Sequence, residues 1–151
     1  MSLSFRTAVE SDLPQIIKLL CDDDLGKSRE EYTIPLKQCY IDAFKEISND
    51  KNNDIIVAIL SNKIVGCFQI TYTTYLSRKG GKRATVESVR VSSDMRSNRI
   101  GSKMLEHAID LAKKNGCFMI QLTTDKTRTR AHKFYKKLGF TASHEGMKLI
   151  L

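Results

Sequence analysis

The 151-residue chain has no tryptophan, 2 prolines and 8 glycines, and no apolar run near the roughly 20 residues that span a bilayer. Its amino terminus lacks the apolar core of a secretory signal peptide, so we expect a cytoplasmic protein. Low-complexity, collagen-like and disordered classes are excluded, because 41% of the residues are hydrophobic and 28% are charged. The length predicts one domain over residues 1–151, large enough to fold without a metal or a disulfide.

The 4 cysteines and 3 histidines form no metal-binding or redox pattern. No cysteines form a C-x-x-C pair, and no histidines have the spacing of zinc ligands, so no metal is expected. We predict reduced thiols packed in the core at Cys21, Cys39, Cys67 and Cys117.

Positive charge is in excess: 25 lysines and arginines against 17 acidic residues give a net charge of +8 and a pI near 9.4. Such a chain suits a nucleic acid, an acidic surface or a phosphorylated small molecule. Many soluble enzymes are equally basic, so charge alone leaves these alternatives open. The cationic segment 77–83 is predicted to be a solvated hairpin, with acidic substrates or nucleic acid as its alternative ligands.

Hydrophobic periodicity predicts alternating strands and helices along the whole chain. Ser11 is predicted to cap the first helix, with Pro14 in its first turn, and Ser61-Asn62 to form a tight hairpin. The predicted strands are 3–8, 54–60, 63–72, 84–91, 117–122 and a last one from Phe140, and the predicted helices are 11–21, 35–47, 98–115 and 131–138. This order, β-α-α-β-β-β-α-β-α-β, predicts an α/β (mixed α+β) fold with a largely antiparallel mixed sheet and helices on both faces. The strand 117–122 is expected to be covered on both faces.

The most informative stretch is 89–102, where a buried strand passes through a polar loop directly into an amphipathic helix. A helix start leaves several backbone N–H groups unpaired at the positive end of the helix dipole, which suits a phosphate or pyrophosphate. Arg96 and Arg99 add positive charge, and Gly101 allows close approach to the backbone. An ordinary helix N-terminus with two solvated arginines is the alternative.

Two segments resemble the GCN5-related N-acetyltransferase (GNAT) superfamily. The acetyl-CoA loop of that family reads Gln/Arg-x-x-Gly-x-Gly/Ala and is matched by Arg96, Ile100 and Gly101, with Arg99 at the family's first Gly. The segment 131–140, AHKFYKKLGF, resembles the family pattern A-x-x-F-Y-x-x-L-G-F. The predicted element order is also that of the family, so the resemblance covers essentially the whole chain.

The resemblance implies that acetyl-CoA lies between two splayed parallel strands, 84–91 and 117–122, with pantetheine paired to the first of them. Arg128 stands where the family often has an Asn that helps to hold the cofactor, and we expect it to reach a phosphate. The residues implied to contact acetyl-CoA are Val89, Arg90, Val91, Arg96, Ser97, Asn98, Arg99, Ile100, Gly101, Ser102 and Arg128.

The implied reaction is direct attack of an amine on acetyl-CoA in a ternary complex, for which the amine must lose a proton. Glu87 is the predicted base, because a regular strand would place it on the same face as Val89, although a bulge would change this. Pairing of Glu87 with Arg83 or Arg90 is the alternative. Tyr135, at the Tyr of the family pattern, is implied to protonate the leaving CoA thiolate, with core packing as its alternative.

The acceptor of the acetyl group is less constrained by the sequence. Arg29 and Tyr32, in the charged segment 26–32, are predicted to bind an anionic group of the acceptor, and the C-terminal pattern is similar to that of aminoalkylphosphonate N-acetyltransferases. We predict an acetyl-CoA-dependent acyltransferase that acts on a primary amine of a small molecule. A protein lysine or N-terminus, a non-catalytic CoA-binding sensor and a nucleic-acid binder are the alternatives. The expected partners are acetyl-CoA, an amine acceptor and a second copy in a homodimer, without nucleic acid or membrane.

Overall fold

The computed structural model of the protein describes residues 2–151, in which strands and helices alternate. The strands are β1 (Ser4–Thr7), β2 (Asn53–Leu60), β3 (Lys63–Thr74), β4 (Lys82–Val91) and β5 (Cys117–Leu122). The helices are α1 (Leu13–Cys21), α2 (Gly26–Arg29), α3 (Gln38–Asn49), α4 (Ser77–Gly80), α5 (Ile100–Lys114) and α6 (Thr129–Lys137). Short 3-10 turns lie at Glu10–Asp12 and Ser93–Met95. No helix within 2–151 is long and apolar enough to cross a membrane.

The strands form one sheet in the order β1-β2-β3-β4-β5, and the first four are paired antiparallel. The predicted hairpin is confirmed: Ser61 and Asn62, between β2 and β3, have φ angles of 52° and 61°. Two consecutive left-handed residues are the geometry of a type I′ turn, which matches the twist of the flanking strands. The mixed α/β class and the largely antiparallel sheet are therefore confirmed.

The helices cover both faces of the sheet. Cys67 of β3 belongs to the buried cluster that joins α1 and α3 to the sheet, with Leu13, Ile16 and Phe44 among its members. On the adjacent residue, Gly66, a Cβ atom would lie 2.7 Å from Sδ of Met104, so α5 packs directly against β3. Because neighbouring residues of a strand face opposite ways, α1 and α3 cover one face and α5 covers the other.

The chain divides into two compact units, Met1–Gln121 and Leu122–Leu151. The first contains helices α1 to α5 with nearly all of the sheet, and the second contains α6 and the C-terminal segment. The prediction of one domain over residues 1–151 stays a prediction.

Three local predictions are wrong. Ser11 does not cap α1; instead Asp12 accepts the N–H of Val9 at 2.8 Å, and a 3-10 turn precedes the helix. Cys39 is exposed rather than packed in the core. The strand β5 is not covered on both faces, because the neighbouring side chains of Phe118 and Met119, which face opposite ways, are 51% and 36% exposed.

The last predicted strand, from Phe140, is not formed: residues 138–151 of the described chain contain neither helix nor strand. An extended segment becomes a strand only when its backbone pairs with a neighbour. In this segment the apolar side chains of Met147, Leu149, Ile150 and Leu151 are exposed.

Candidate functional site

The loop after β4 ends in an open helix N-terminus. Ser97 and Arg99 have left-handed backbone, with φ angles of 74° and 59°, so α5 begins at Ile100 rather than at the predicted Asn98. The first turn is closed by the N–H of Lys103 bonding to the carbonyl of Arg99 at 3.1 Å, and no side chain caps the helix. The N–H groups of residues 100–102 precede that bond and point out of the helix end. This arrangement can bind an anion such as pyrophosphate.

Arg96 is tied into the same loop. Its Nη2 donates to the carbonyl of Asp22 at 2.8 Å, and its Nε lies 3.4 Å from the carbonyl of Val91. The side chain stays 46% exposed, so its charge remains accessible at the loop surface. Arg96 therefore stabilises the loop and adds positive charge to it.

The strand β4 contains a bulge beside Glu87. Gln69 of β3 pairs with Glu87, whereas Cys67, two residues earlier, pairs with Arg90, three residues later. The extra residue belongs to β4, where Ser88 has a φ of 54°. In a regular strand the side chains of Glu87 and Val89 would lie on the same face of the sheet. The bulge interrupts this alternation of side chains between them.

The carboxylate of Glu87 is exposed and has no ion pair within residues 2–151. Both predicted alternative partners have other contacts. The guanidinium of Arg83 lies over the ring of Tyr75, 4.4 Å from its centroid, as in a cation–π contact. Nε of Arg90 lies 3.1 Å from Oδ2 of Asp23, although the N–H is not aligned for a hydrogen bond.

Polar side chains lie on the strands next to Glu87, and the sequence analysis did not select them. Nε2 of Gln69 donates to Oδ1 of Asn53 at 2.9 Å, and Nε2 of Gln121 donates to Oγ1 of Thr85 at 3.1 Å. Gln69 and Gln121 are each the only side-chain amide in their strand and stand among apolar residues, which is the signal that would have found them. They add polar groups to the strands on either side of Glu87.

A cavity of about 930 Å³ lies between the end of α1 and the loop after β4. Its lining includes Lys18, Asp22, Tyr32 and Ser92, and the ammonium of Lys18 lies 4.9 Å from the centroid of the Tyr32 ring. Arg29 does not line this cavity; it is exposed, and its Nε donates to the carbonyl of Leu25 at 3.2 Å. The structure therefore brings Tyr32, but not Arg29, to the cavity beside the loop.

The second unit holds the two remaining predicted residues. Arg128 precedes α6, and its backbone N–H donates to the carbonyl of Asp125 at 3.0 Å. The half-buried ring of Tyr135 packs edge-on against Phe134 and Phe140, with centroid distances of 5.2 and 5.9 Å.

Two thiols of the first unit, those of Cys67 and Cys21, are not suited to nucleophilic catalysis. Burial raises the pKa of Cys67 to about 12, and burial together with the nearby Glu30 carboxylate raises the pKa of Cys21. A nucleophilic cysteine acts as a thiolate, and both groups are protonated at neutral pH. Residues 2–151 also contain no group of three potential metal ligands.

Comparison with known proteins gives consistent matches over most of the chain. The family described as "Acetyltransferase (GNAT) family" matches residues 17–140. Aminoalkylphosphonate N-acetyltransferase of Salmonella typhimurium is 27% identical over 139 residues, which are 92% of this chain and 85% of that protein.

Two solved structures extend the comparison. A transcriptional regulator from Bacillus halodurans C-125 is 50% identical, with a TM-score of 0.96 over 99% of this chain and 100% of that one. A predicted acetyltransferase from Clostridium acetobutylicum, solved with acetyl-CoA, shares the fold at 20% identity, with a TM-score of 0.76 over 99% and 96% of the two chains. The residues that the family matches, 17–140, include the bulged strand β4 and the open N-terminus of α5. The chain therefore belongs to the GNAT family of acetyltransferases, as the sequence motifs predicted.

Proposed function

We propose that the protein is a cytoplasmic enzyme that transfers the acetyl group of acetyl-CoA to a primary amine of a small molecule. One observation carries the proposal: a strand that bears an unpaired carboxylate, Glu87, leads into an uncapped helix N-terminus flanked by Arg96. The first feature suits proton removal and the second suits a pyrophosphate.

In the proposed complex, the pyrophosphate of acetyl-CoA accepts hydrogen bonds from the backbone N–H groups at the start of α5. Pantetheine pairs with the backbone of 89–91, beyond the bulge, where the side chains need no special chemistry. Arg96 and Arg99 supply charge at the loop. Ser97 and Asn98 complete the loop, and Arg128 is assigned to a phosphate.

In the proposed reaction, the amine nitrogen attacks the thioester carbon, and the C–S bond breaks as the intermediate collapses. The proton lost by the amine passes to Glu87, directly or through one water. The electron pair of the C–S bond goes to sulfur, and Tyr135 protonates the departing thiolate. The products are an N-acetylated amine and free CoA.

The acceptor that we favour is a small amine carrying an anionic group. The Salmonella relative is named for aminoalkylphosphonates, which combine an amine with such a group. Lys18 and Tyr32 in the cavity supply a cation and a hydroxyl for it. Arg29, which lies outside the cavity lining, is proposed as a further contact for the anionic group. A lysine or N-terminus of a protein is the alternative acceptor.

A second candidate function is regulation of transcription through nucleic acid. The relative that is 50% identical is named as a transcriptional regulator, and this chain carries a net charge of +8. The exposed α4 turn contributes Arg78 and Lys79 to that charge. This function predicts duplex binding that weakens steeply with salt.

The decisive experiment is titration with acetyl-CoA by calorimetry, followed by a panel of amines assayed for free CoA. The panel should include aminoalkylphosphonates, other small amines and lysine peptides. Saturable binding and release of CoA that depends on an amine support the enzyme, and the productive amines identify the acceptor class. Binding of acetyl-CoA without turnover would favour a sensor module. Salt-sensitive binding of duplex DNA, without binding of acetyl-CoA, would favour the regulator.

The proposal includes a homodimer. The C-terminal segment exposes Met147, Leu149 and Ile150 by 96%, 85% and 88%. Contiguous exposed apolar side chains are typical of protein interfaces, and a second copy would cover them. Light scattering should show a dimer for the full chain and a monomer for a variant ending at residue 146. A monomeric full chain would contradict this part of the proposal.

A further inference from the structure

The turn that follows α1 is bonded to the loop proposed to bind acetyl-CoA. Oδ2 of Asp22 accepts the backbone N–H of Ser93 at 2.9 Å, and the carbonyl of Asp22 accepts Nη2 of Arg96 at 2.8 Å. Asp22 is 71 positions from Ser93 and 74 positions from Arg96 in the chain. The turn therefore fixes both the start of the loop and its first arginine.

The carboxylate of the next residue, Asp23, contacts both β4 and α2. Its Oδ2 lies 3.1 Å from Nε of Arg90 in β4, and its Oδ1 accepts the N–H of Gly26, the first residue of α2. The side chains of Asp23 and Arg90 are 14% and 13% exposed, so neither charge can exchange its partner fully for water. Moving either charge away from the other is costly in such a site.

The start of α2 cannot shift independently of this turn. Gly26 is buried, and a Cβ atom there would lie 1.8 Å from the carbonyl oxygen of Leu20. The backbone of α2 is therefore packed directly on the end of α1. The carboxylate of Asp23 is thus bonded to the first residue of the segment 26–32, which leads to Tyr32 in the cavity.

We propose that Asp23 is a positioning residue that couples the acetyl-CoA site to the acceptor site, a role that rests on the proposed function. Arg90 lies within the stretch 89–91 that is assigned to pantetheine. Pairing of that stretch with acetyl-CoA fixes Arg90, Arg90 fixes Asp23, and Asp23 fixes the start of α2. The acceptor then binds to a more ordered segment after acetyl-CoA, and by reciprocity the acceptor tightens the binding of acetyl-CoA.

Hydrogen–deuterium exchange of the full chain, with and without saturating acetyl-CoA, tests this coupling without any acceptor. In the wild type, acetyl-CoA should slow exchange in residues 22–32 about tenfold, within the range usual for coupled sites. In Asp23→Asn this protection should be lost, while exchange at the start of α5 is still slowed. Asp24→Asn is the matched control: it removes the same charge one residue later, from a fully exposed side chain 4.0 Å from Lys27. It should behave as the wild type does.

Loss of Asp23 leaves a buried arginine unpaired, so the single variant risks unfolding. The double variant Asp23→Asn/Arg90→Gln removes both charges and serves as the second test. With the productive amine of the panel, either variant should raise the KM of the amine more than it lowers kcat.

The outcomes separate this inference from the proposed function. Wild-type protein that binds no acetyl-CoA overturns the proposed function and the coupling with it. Wild-type protein that binds acetyl-CoA with unchanged exchange in 22–32 overturns the coupling alone. If acetyl-CoA slows exchange in residues 22–32 equally in the wild type and in a folded Asp23 variant, the coupling is likewise overturned.

Discussion

Gln69 and Glu87 are paired across β3 and β4 at the last regular step before the bulge at Ser88. The amide of Gln69 is held in place, because its Nε2 donates to Asn53. The bulge then changes the direction in which residues 89–91 present their backbone relative to Glu87. One strand thus offers a carboxylate on one side of the bulge and, on the other, the backbone that we assign to acetyl-CoA.

The variant Glu87→Gln keeps the shape of the side chain and removes its ability to take a proton. We expect kcat at neutral pH to fall by on the order of 10², as is typical for loss of a general base. Glu106→Gln, an exposed change on α5, is the control and should leave the rate unchanged. An unaltered rate and pH profile in Glu87→Gln would make Glu87 a structural residue.

The left-handed backbone of Arg99 explains why glycine suits this position of the family pattern. A left-handed conformation costs an L-residue about 1–2 kcal/mol, and a glycine avoids this cost. Glycine also loses more conformational entropy on folding, which offsets about 0.5–1 kcal/mol of the advantage. Arg99→Gly should therefore leave the free energy of unfolding unchanged or raise it by about 1 kcal/mol, with little change in the Kd of acetyl-CoA. Chemical denaturation and calorimetry measure the two quantities. A loss of stability would contradict this explanation.

Gly101 is the matched position two residues later, inside the first turn of α5. Gly101→Val should raise the Kd of acetyl-CoA at least about tenfold, because displacing one charge-assisted hydrogen bond costs about 1.5–3 kcal/mol. The variant's circular dichroism should match the wild type. Unchanged affinity would mean that the pyrophosphate binds elsewhere.

The parts that the sequence predicted well are set by neighbouring residues. The Ser61-Asn62 hairpin and the amphipathic helix α5 follow from local turn chemistry and periodicity, and both formed within two residues of the predicted bounds. The loop motif is equally local, and it led to the family that the comparisons confirmed.

The remaining features depend on residues distant in the chain. The contacts of Asp22 with Ser93 and Arg96 join positions 71 and 74 residues apart, and no pattern of spacing encodes them. The bulge at Ser88 depends on how β3 and β4 pair. The strand expected from Phe140 needed a neighbouring strand to pair with, and the sequence of a segment does not show whether such a neighbour is in reach.

Asp12 and Asp54 have opposite pKa shifts and should give opposite pH dependences. Hydrogen bonds from Arg6, at 2.6 and 3.0 Å, hold the pKa of the buried Asp12 carboxyl below its ordinary value. The stabilisation is therefore present above about pH 4 and is lost as the pH falls through the lowered pKa. Asp12→Asn should lower the free energy of unfolding at pH 7 by about 1–2 kcal/mol and flatten its acid limb. Urea denaturation from pH 3 to 8 tests this, with Asp24→Asn as the control.

The pKa of Asp54 is shifted in the opposite direction, so its effect on stability changes with pH in the opposite sense. Burial raises the pKa of this carboxyl, and the bond that it accepts from Oγ1 of Thr7 at 3.0 Å only partly offsets the shift. The protonated form thus contributes stability at low pH, and this contribution is lost as the pH rises through the raised pKa. Asp54→Asn should raise the free energy of unfolding at pH 7 by on the order of 0.5 kcal/mol, with no gain near pH 3. A variant that is less stable at pH 7 would show that the carboxylate has a favourable partner.

Tyr135 is assigned to protonation of the CoA thiolate, whose parent thiol has a pKa near the reference cysteine value of roughly 8.5. A phenol with a pKa of about 10 is protonated at pH 7 and can donate as the C–S bond breaks. Tyr135→Phe keeps the ring, and with it the edge-on contacts to Phe134 and Phe140. We therefore expect kcat to fall by on the order of 10 to 10³, while the Kd of acetyl-CoA stays nearly unchanged.

The loss should be smaller with an acetyl thioester whose leaving thiol is more acidic, since such a thiolate departs with less help from a donor. Phe134→Leu, a change in the same helix that removes one of the ring contacts and keeps the hydroxyl, is the control. It should lower the thermal midpoint with a much smaller effect on kcat. Wild-type turnover in Tyr135→Phe would leave Tyr135 as a packing residue, and another group or a water would then have to protonate the thiolate.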